Sequence, residues 1–238
     1  MREENLSRLS TTKISYNTPY FLNYKYLFED LQAAISKHAK GDLLDIGCGN
    51  KPYQPFFEGK LSSYMGCDII QSDKNQVDII CPATDIPLPD NVKDTVFSTQ
   101  VIEHVADHRK LLSEAFRILK PGGVIIVSGP MAWEHHEEPY DFFRFTQYGF
   151  EWILSEAGFT DIEIKGNGGK WAMVGQLTLN SMRSSFAKKS PLRKLLSGLY
   201  FIFRIKWIIN AFFSWLDKVD KDYSATLNFV VTAKKPIN

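Results

Sequence analysis

LLDIGCGN, Leu43 to Asn50, sets a short run of strand-type residues ending in a carboxylate directly against a turn that carries two glycines. A brief apolar run bounded by glycines reads as a buried strand. Gly47 and Gly49 open backbone dihedrals closed to other residues and let a ligand approach the main chain. Asp45 adds an acid where the chain leaves the strand. An acid beside a bare turn suits a ligand bearing hydroxyls or an ammonium group better than one bearing phosphates. The phosphate-loop pattern GxxxxGK followed by Ser or Thr is absent, and a dinucleotide fingerprint would need a third glycine where Asn50, Lys51 and Pro52 stand. Taken alone, the turn fits a plain strand-to-helix connection equally well.

The flanking sequence supplies a frame for that strand. Before it, Phe21, Tyr24, Leu27, Phe28, Leu31 and Ile35 recur at helical spacing, which predicts a helix from about Tyr20 to His38. After it, Ser63–Cys67, Val77–Ile80, Asp94–Ser98 and Val124–Ser128 read as strands. Asp107–Leu119 reads as a helix stopped by Lys120-Pro121-Gly122-Gly123. A helix over Thr146–Ala157, a strand over Asp161–Lys165 and a last strand over Thr226–Ala233 complete the series. Alternating strands and helices predict an α/β domain, a sheet covered on both faces, with ligands bound beyond the carboxyl ends of its strands.

Two further acids fall where strands end. Asp68, in YMGCDI, lies some 20 residues past the glycines, the spacing at which an acid meets a ribose. A surface aspartate closing a strand is the plainer alternative. Asp85 follows the third strand in a loop stiffened by Pro82, Pro87 and Pro89, where it can accept from an exocyclic amine or simply form a turn.

LLDIGCGNKPY, YMGCDI, ATDIPLPDNVKDTV, TQVIEHV and ILKPGGVIIVSGP together resemble the class I S-adenosylmethionine-dependent methyltransferases, in order and spacing, from about Gly41 to Ile164. The closer resemblance is to the type 11-like group and to members associated with polysaccharide biosynthesis. It implies a Rossmann-like sheet of seven mostly parallel strands with the last antiparallel. It also implies S-adenosylmethionine as cofactor, with S-adenosylhomocysteine as product. By that resemblance Asp45, Gly47, Cys48 and Gly49 hold the methionine end, and Asp68 and Ile69 hold the ribose. Thr84 and Asp85 flank the adenine, and Gln100 lies near the sulfonium. QSDKNQ, between the second and third strands, departs from the pattern by leaving little room for a crossover helix.

Methyl transfer to a hydroxyl or amine gains from a nearby base. WEHHEEPYDFFRFT, Trp133 to Thr146, carries two histidines, four acids and an arginine. His136 is the first candidate base, oriented by Asp141, and His104 is the second. Arg144 pairs with Asp141 or grips an anionic acceptor. A capping loop without chemistry would show the same composition. His135, His136, Glu137 and Glu138 are adjacent, and adjacent side chains rarely converge on one ion, so no metal is expected. HEEPYDFFRFT is similar to methyltransferases of surface-glycan assembly, which points to a saccharide acceptor, small or lipid-linked. A quinone or other small aromatic metabolite, or a non-enzymatic adaptor, stands as the alternative.

The 238 residues carry a net charge of +1, which hides an asymmetry. From Ile164 to Leu216 there are nine Lys or Arg and no acid, leaving 19 basic against 27 acidic residues elsewhere. This basic stretch falls in an insertion over residues 166–224. Within it, LYFIFRIKWIINAFFSWL, Leu199 to Leu216, reads as one helix that is apolar around most of its circumference. Lys206, Asn210, Ser214 and Asp217 form a polar stripe, with Arg204 elsewhere. With two cations among 18 residues it is a poor membrane span. A lid or homodimer face is one reading. A helix at a membrane surface, with Lys188, Lys189, Arg193 and Lys194 before it and Trp207 and Trp215 at the headgroup level, is a second. A pocket for a lipid-linked acceptor is the third. Nucleic acid ranks below lipid, because Leu, Ile and Phe dominate the segment. The polar opening MREENLSRLSTTK and three unpaired cysteines, Cys48, Cys67 and Cys81, predict a cytoplasmic protein with reduced thiols, peripheral to the inner membrane face.

Overall fold

The computed structural model describes residues 9–186 and 191–237. Lys188 and Lys189 lie outside them, as do the side chains of Arg193 and Lys194. Helix α1 (Phe21–His38) precedes β1 (Gly41–Ile46), β2 (Leu61–Asp68), the two-residue β3 (Ile79–Ile80) and β4 (Lys93–Thr99). Then come α2 (His108–Ile118), β5 (Leu119–Pro130), α3 (Gln147–Glu156) and β6 (Thr160–Asn167). Three helices, α4 (Lys170–Phe186), α5 (Pro191–Ile202) and α6 (Ile205–Val219), lead to β7 (Asn228–Lys234). The seven strands form one sheet in the order β3-β2-β1-β4-β5-β7-β6, with β7 antiparallel to both neighbours. This is the Rossmann-like architecture the resemblance implies.

Strand periodicity divides the core between the two faces of the sheet. Leu44, Ile46, Val96, Ile125 and Val127 pack with Leu111, Leu112 and Ala115 of α2 and Phe150 of α3. Their neighbours Leu43, Phe97, Val124 and Ile126 pack on the other face with Leu27, Phe28, Leu31 and Ile35 of α1. Alternate residues point to opposite faces, so each strand serves both layers. Asp107 caps α2, accepting from the Lys110 amide at 3.0 Å, and Thr146 caps α3, accepting from the Gly149 amide at 3.0 Å.

Several boundaries differ from the sequence reading. Lys120-Pro121-Gly122-Gly123 is absorbed into β5 as an irregularity: Lys93 pairs with Leu119, and Thr95 next pairs with Val124. Residues 69–78 contain turns and no helix, as the short QSDKNQ span requires. Gln71 closes this connection by accepting from the Val77 amide and donating to the Val77 carbonyl.

The largest departure is in the insertion. The expected single helix breaks at Arg204, whose φ of 50° is left-handed, and the two parts meet at 64°. The polar stripe of α6 faces inward. Asp217 accepts from the Gly169 and Ala172 amides and so caps the start of α4. Asn210 donates to the Tyr16 carbonyl at 2.8 Å, and Ser214 is buried beside them. Gly175 of α4 lets the two helices touch, since a Cβ there would lie 2.5 Å from Phe213. The apolar side is thereby turned to solvent: Trp207, Phe212 and Trp215 are 43%, 49% and 57% exposed. Among the described residues no single helix is long and apolar enough to cross a membrane, while the bent pair α5–α6 passes by length and composition alone.

Candidate active site

The strand order reverses between the parallel strands β1 and β4, and a cavity of about 890 Å³ opens at the carboxyl ends of β1, β2 and β4. Such a crevice is the expected ligand site in an open α/β sheet. Gly47 and Gly49 leave β1 with φ of 75° and 49°. The Gly47 and Cys48 amides donate to the Cys67 carbonyl at 2.8 and 3.1 Å, which ties the turn to β2. Asp68, at the end of β2, accepts from Gly49 N at 3.1 Å and Ile69 N at 2.7 Å. It therefore braces the glycine turn while its side chain lines the cavity. Gly66 makes the turn fit, since a Cβ there would lie 2.5 Å from Cys48 Sγ. The sequence reading gave Gly66 no role, although a glycine inside a strand signals close backbone approach.

Asp45 is 2% exposed, and its Oδ2 accepts from the Tyr64 hydroxyl. Burial pushes its carboxyl up to about 7, against the pull of the Tyr64 hydrogen bond. Gln100 holds a left-handed φ of 55° at the end of β4, with its amide on the Ser128 carbonyl and its side chain on Ser128 Oγ. Non-glycine strain of this kind collects at ligand sites.

Asp45, Gly47, Cys48, Gly49, Asp68, Ile69, Thr84 and Gln100 all line the cavity. Asp85 does not: it is exposed, in a turn closed by its amide on the Pro82 carbonyl. His104 and His136 line the opposite wall with Glu137 and Tyr140, while Asp141 and Arg144 stand behind. Arg144 grips Asp141 through both carboxylate oxygens at 2.6 and 2.8 Å, and that guanidinium holds the Asp141 carboxyl down at about 2. Asp141 also accepts from the His136 amide at 3.1 Å, so the pair fixes the loop bearing His136. Arg144 is thus engaged internally rather than presented to an acceptor.

Three residues converge that the sequence keeps apart. Glu103 and His104 lie in a short 3-10 turn after β4, and His136 in the loop after β5. Their potential ligand atoms fall within 4.8 Å of one another, a spacing from which a metal ion could be held. Glu103 is fully buried, and burial pushes its carboxyl up to about 8. Neighbouring aromatic rings Tyr20, Tyr24, Tyr53 and Trp133 shape the mouth. Tyr24 lies on α1, where it reads as ordinary helix core, and Tyr20, Tyr53 and Trp133 stand outside that helix at positions whose spacing gives no sign of a shared site.

The cavity lining includes four carboxylates, from Asp45, Asp68, Asp107 and Glu137, and no Lys or Arg among the described residues. That charge balance suits a cationic ligand with ribose hydroxyls and opposes a phosphate ester. The donor set and the bare turn fit S-adenosylmethionine: Asp68 for the ribose, Asp45 and the Gly47–Gly49 backbone for the amino-acid end.

Residues 44–127 match the family model described as a methyltransferase domain. Over 107 residues the chain is 36% identical to a probable S-adenosylmethionine-dependent methyltransferase of Mycolicibacterium smegmatis, with 42% of each protein covered. Over 111 residues it is 32% identical to 2-methyl-6-phytyl-1,4-hydroquinone methyltransferase 1 of Oryza sativa subsp. japonica, covering 44% of this chain and 31% of that one. The chain spans less than half the length of these curated relatives. Among solved structures, the cyclase SpnF superposes with a TM-score of 0.59 at 17% identity, covering 95% of this chain and 86% of that chain, a likeness of fold alone. Residues 44–127 are thus similar in sequence to methyltransferase domains, and they lie on a sheet of the Rossmann-like strand order found in such folds.

Proposed function

We propose that the protein is an S-adenosylmethionine-dependent methyltransferase whose acceptor is an amphiphilic small molecule, a hydroxylated head on an apolar tail, met at a membrane surface. The observation that carries the methyltransferase reading is the acidic cavity, without Lys or Arg among the described residues that line it, wrapped around a glycine turn. When bound, the sulfonium cofactor supplies an activated methyl group. The chain's residues then have to hold the cofactor, present the acceptor and exclude water. Asp45, Asp68 and the turn do the first, and the wall of His104, His136 and Tyr140 faces the acceptor.

The membrane part of the reading rests on α5 and α6. Their outward face is apolar and aromatic, and the surrounding 53 residues from Ile164 to Leu216 contain no acid. An open apolar cavity of about 900 Å³ between α4 and α5, lined by Val174, Leu177, Met182, Leu199, Tyr200 and Phe203, suits a lipid tail. Arg183 of α4 joins this insertion to the active-site mouth by pairing with Glu134 at 3.0 Å and lying 4.6 Å over the Tyr20 ring. The rice relative is named for a phytyl hydroquinone, an acceptor of this amphiphilic kind. A lipid-linked saccharide is a second acceptor of the same kind, supported by the resemblance of HEEPYDFFRFT. The three cysteines are free and buried, in keeping with a reducing compartment.

S-adenosylhomocysteine release is the direct assay, run with hydroquinones and polyprenyl-linked sugars in mixed micelles. Release above the no-acceptor background is expected from at least one class. Cofactor binding without release from any member would favour the non-enzymatic adaptor alternative.

The raised carboxyl of Asp45 sets a pH dependence for cofactor binding. Below about pH 7 Asp45 holds its proton, and an ammonium ligand must displace it. Affinity for S-adenosylhomocysteine is therefore expected to rise about fivefold between pH 6 and pH 7, to reach about tenfold by pH 8 and to level off above it. Proton release should be measurable by calorimetry in buffers of different ionisation enthalpy. Asp45→Asn is expected to flatten this profile, and an unchanged slope in the variant would refute the assignment. The same shift costs the ligand-free fold stability as pH rises from about 4 to about 7, because the native state retains a proton that the unfolded chain gives up.

A further inference from the structure

We propose that Glu103, His104 and His136 form a binding site for one divalent transition-metal ion on the acceptor wall of the cavity. The absence of metal ligands expected from the sequence concerned the adjacent residues of WEHHEEP. The fold instead joins one of those histidines to a pair that follows β4.

Three observations carry the inference. The potential ligand atoms of the three residues lie within 4.8 Å of one another. Bond lengths of about 2.1 Å place ligands about 3–4 Å apart, so modest side-chain rotation closes the site. Next, both carboxylate oxygens of Glu103 are buried with no hydrogen-bond partner in a residue that is 0% exposed. A buried carboxylate left in that state is costly, and a cation satisfies it.

The third observation is that a backbone carbonyl faces Nδ1 of each histidine. His104 Nδ1 lies 2.9 Å from the Tyr140 carbonyl, and His136 Nδ1 lies 3.2 Å from the Glu134 carbonyl. A carbonyl accepts, so each Nδ1 carries the proton and each Nε2 presents a lone pair. Backing a ring through its far nitrogen in this way is how proteins orient metal-bound histidines. His104 Nε2 is 3.9 Å from Glu103 Oε1, on the required side. Arg144 Nη2 lies 3.5 Å from His136 Nδ1 and could only donate to it, but two acceptors are closer, the Glu134 carbonyl at 3.2 Å and Asp141 Oδ2 at 3.4 Å, and they favour the proton on Nδ1.

Two imidazoles and one carboxylate suit Mn2+, Fe2+, Co2+ or Zn2+ better than Ca2+. Both histidines line the cavity, so the remaining coordination positions face it, where an acceptor oxygen can replace water.

The test uses the full chain stripped with EDTA and titrated with Co2+, Mn2+ or Zn2+. One equivalent of Co2+ should bind with a visible d–d absorption, and Zn2+ should displace it. Glu103→Gln and His136→Gln are each expected to weaken binding at least 10-fold, and His135→Ala, on an exposed neighbour, should leave it unchanged. Failure of wild-type protein to bind any of the three ions would overturn the proposal. So would binding that survives both substitutions or is lost with His135→Ala. S-adenosylhomocysteine is titrated into the same samples: cofactor binding without metal binding refutes this site alone and leaves the methyltransferase reading standing.

Discussion

Asp68→Ala is expected to reduce affinity for S-adenosylhomocysteine by about 100-fold or more, with the fold retained. The carboxylate stands at the end of β2, lines the cavity and accepts from the Gly49 and Ile69 amides. Each hydrogen bond between a carboxylate and a ribose hydroxyl is worth about 1.5–3 kcal/mol, and two are lost together. The substitution also frees the glycine turn, so cofactor backbone contacts loosen along with the ribose. Asp68→Asn separates the effects: it keeps an acceptor for one amide and should bind better than the alanine variant. Calorimetry gives the affinities, and circular dichroism checks the fold. An alanine variant that binds as tightly as wild type would remove Asp68 from the site.

The second large effect is expected at the outer face of α6. Wild-type protein should co-sediment with vesicles containing phosphatidylglycerol, less with neutral phosphatidylcholine, and less again at high salt. Replacing Trp207, Phe212 and Trp215 with Ser should lower the partition coefficient by about 100-fold. Each side chain is about half exposed, so each contributes about 1 kcal/mol on insertion, roughly half the value for full burial. Trp207 also packs edge-on against Tyr16 at 5.7 Å and Phe212 against Phe213 at 5.2 Å, so circular dichroism checks that the triple variant is folded. A second copy of the chain is the competing occupant of this face, and it would bring basic surfaces together. A dimer at micromolar concentration that dissociates in the triple variant, without vesicle binding by wild type, would favour that occupant and sink the membrane reading.

Much of the fold was legible because its signals are local. β1, β4 and β5 are short runs buried along most of their length and bounded by turn residues, and the caps Asp107 and Thr146 act within three residues. The positions of the glycine turn and Asp68 in the cavity lining were legible for the same reason, since both stand at the ends of such runs. Asp85 shows the limit: its loop position could be read, but not that its side chain would face solvent.

The rest depends on contacts distant in sequence. In α6 the wheel separates a polar stripe from an apolar one, yet cannot say which is buried. That is decided by Asp217 capping α4 and Asn210 reaching Tyr16, both long-range. The break at Arg204 has neither proline nor glycine at it: a non-glycine residue adopts the left-handed φ there, which no local residue pattern signals. The meeting of Glu103 and His104 with His136 requires the β5 loop to fold back over the end of β4. Phe142 secures that return by donating its amide to the Glu103 carbonyl at 3.0 Å.

A crystal structure of the protein grown with S-adenosylhomocysteine addresses the core of this account most directly. The account predicts the nucleoside at the carboxyl ends of β1 and β2, both ribose hydroxyls on Asp68, and the amino-acid end beside Asp45 and the Gly47–Gly49 backbone. A cavity left empty at saturating ligand, or one that instead takes up a phosphate ester, would contradict it.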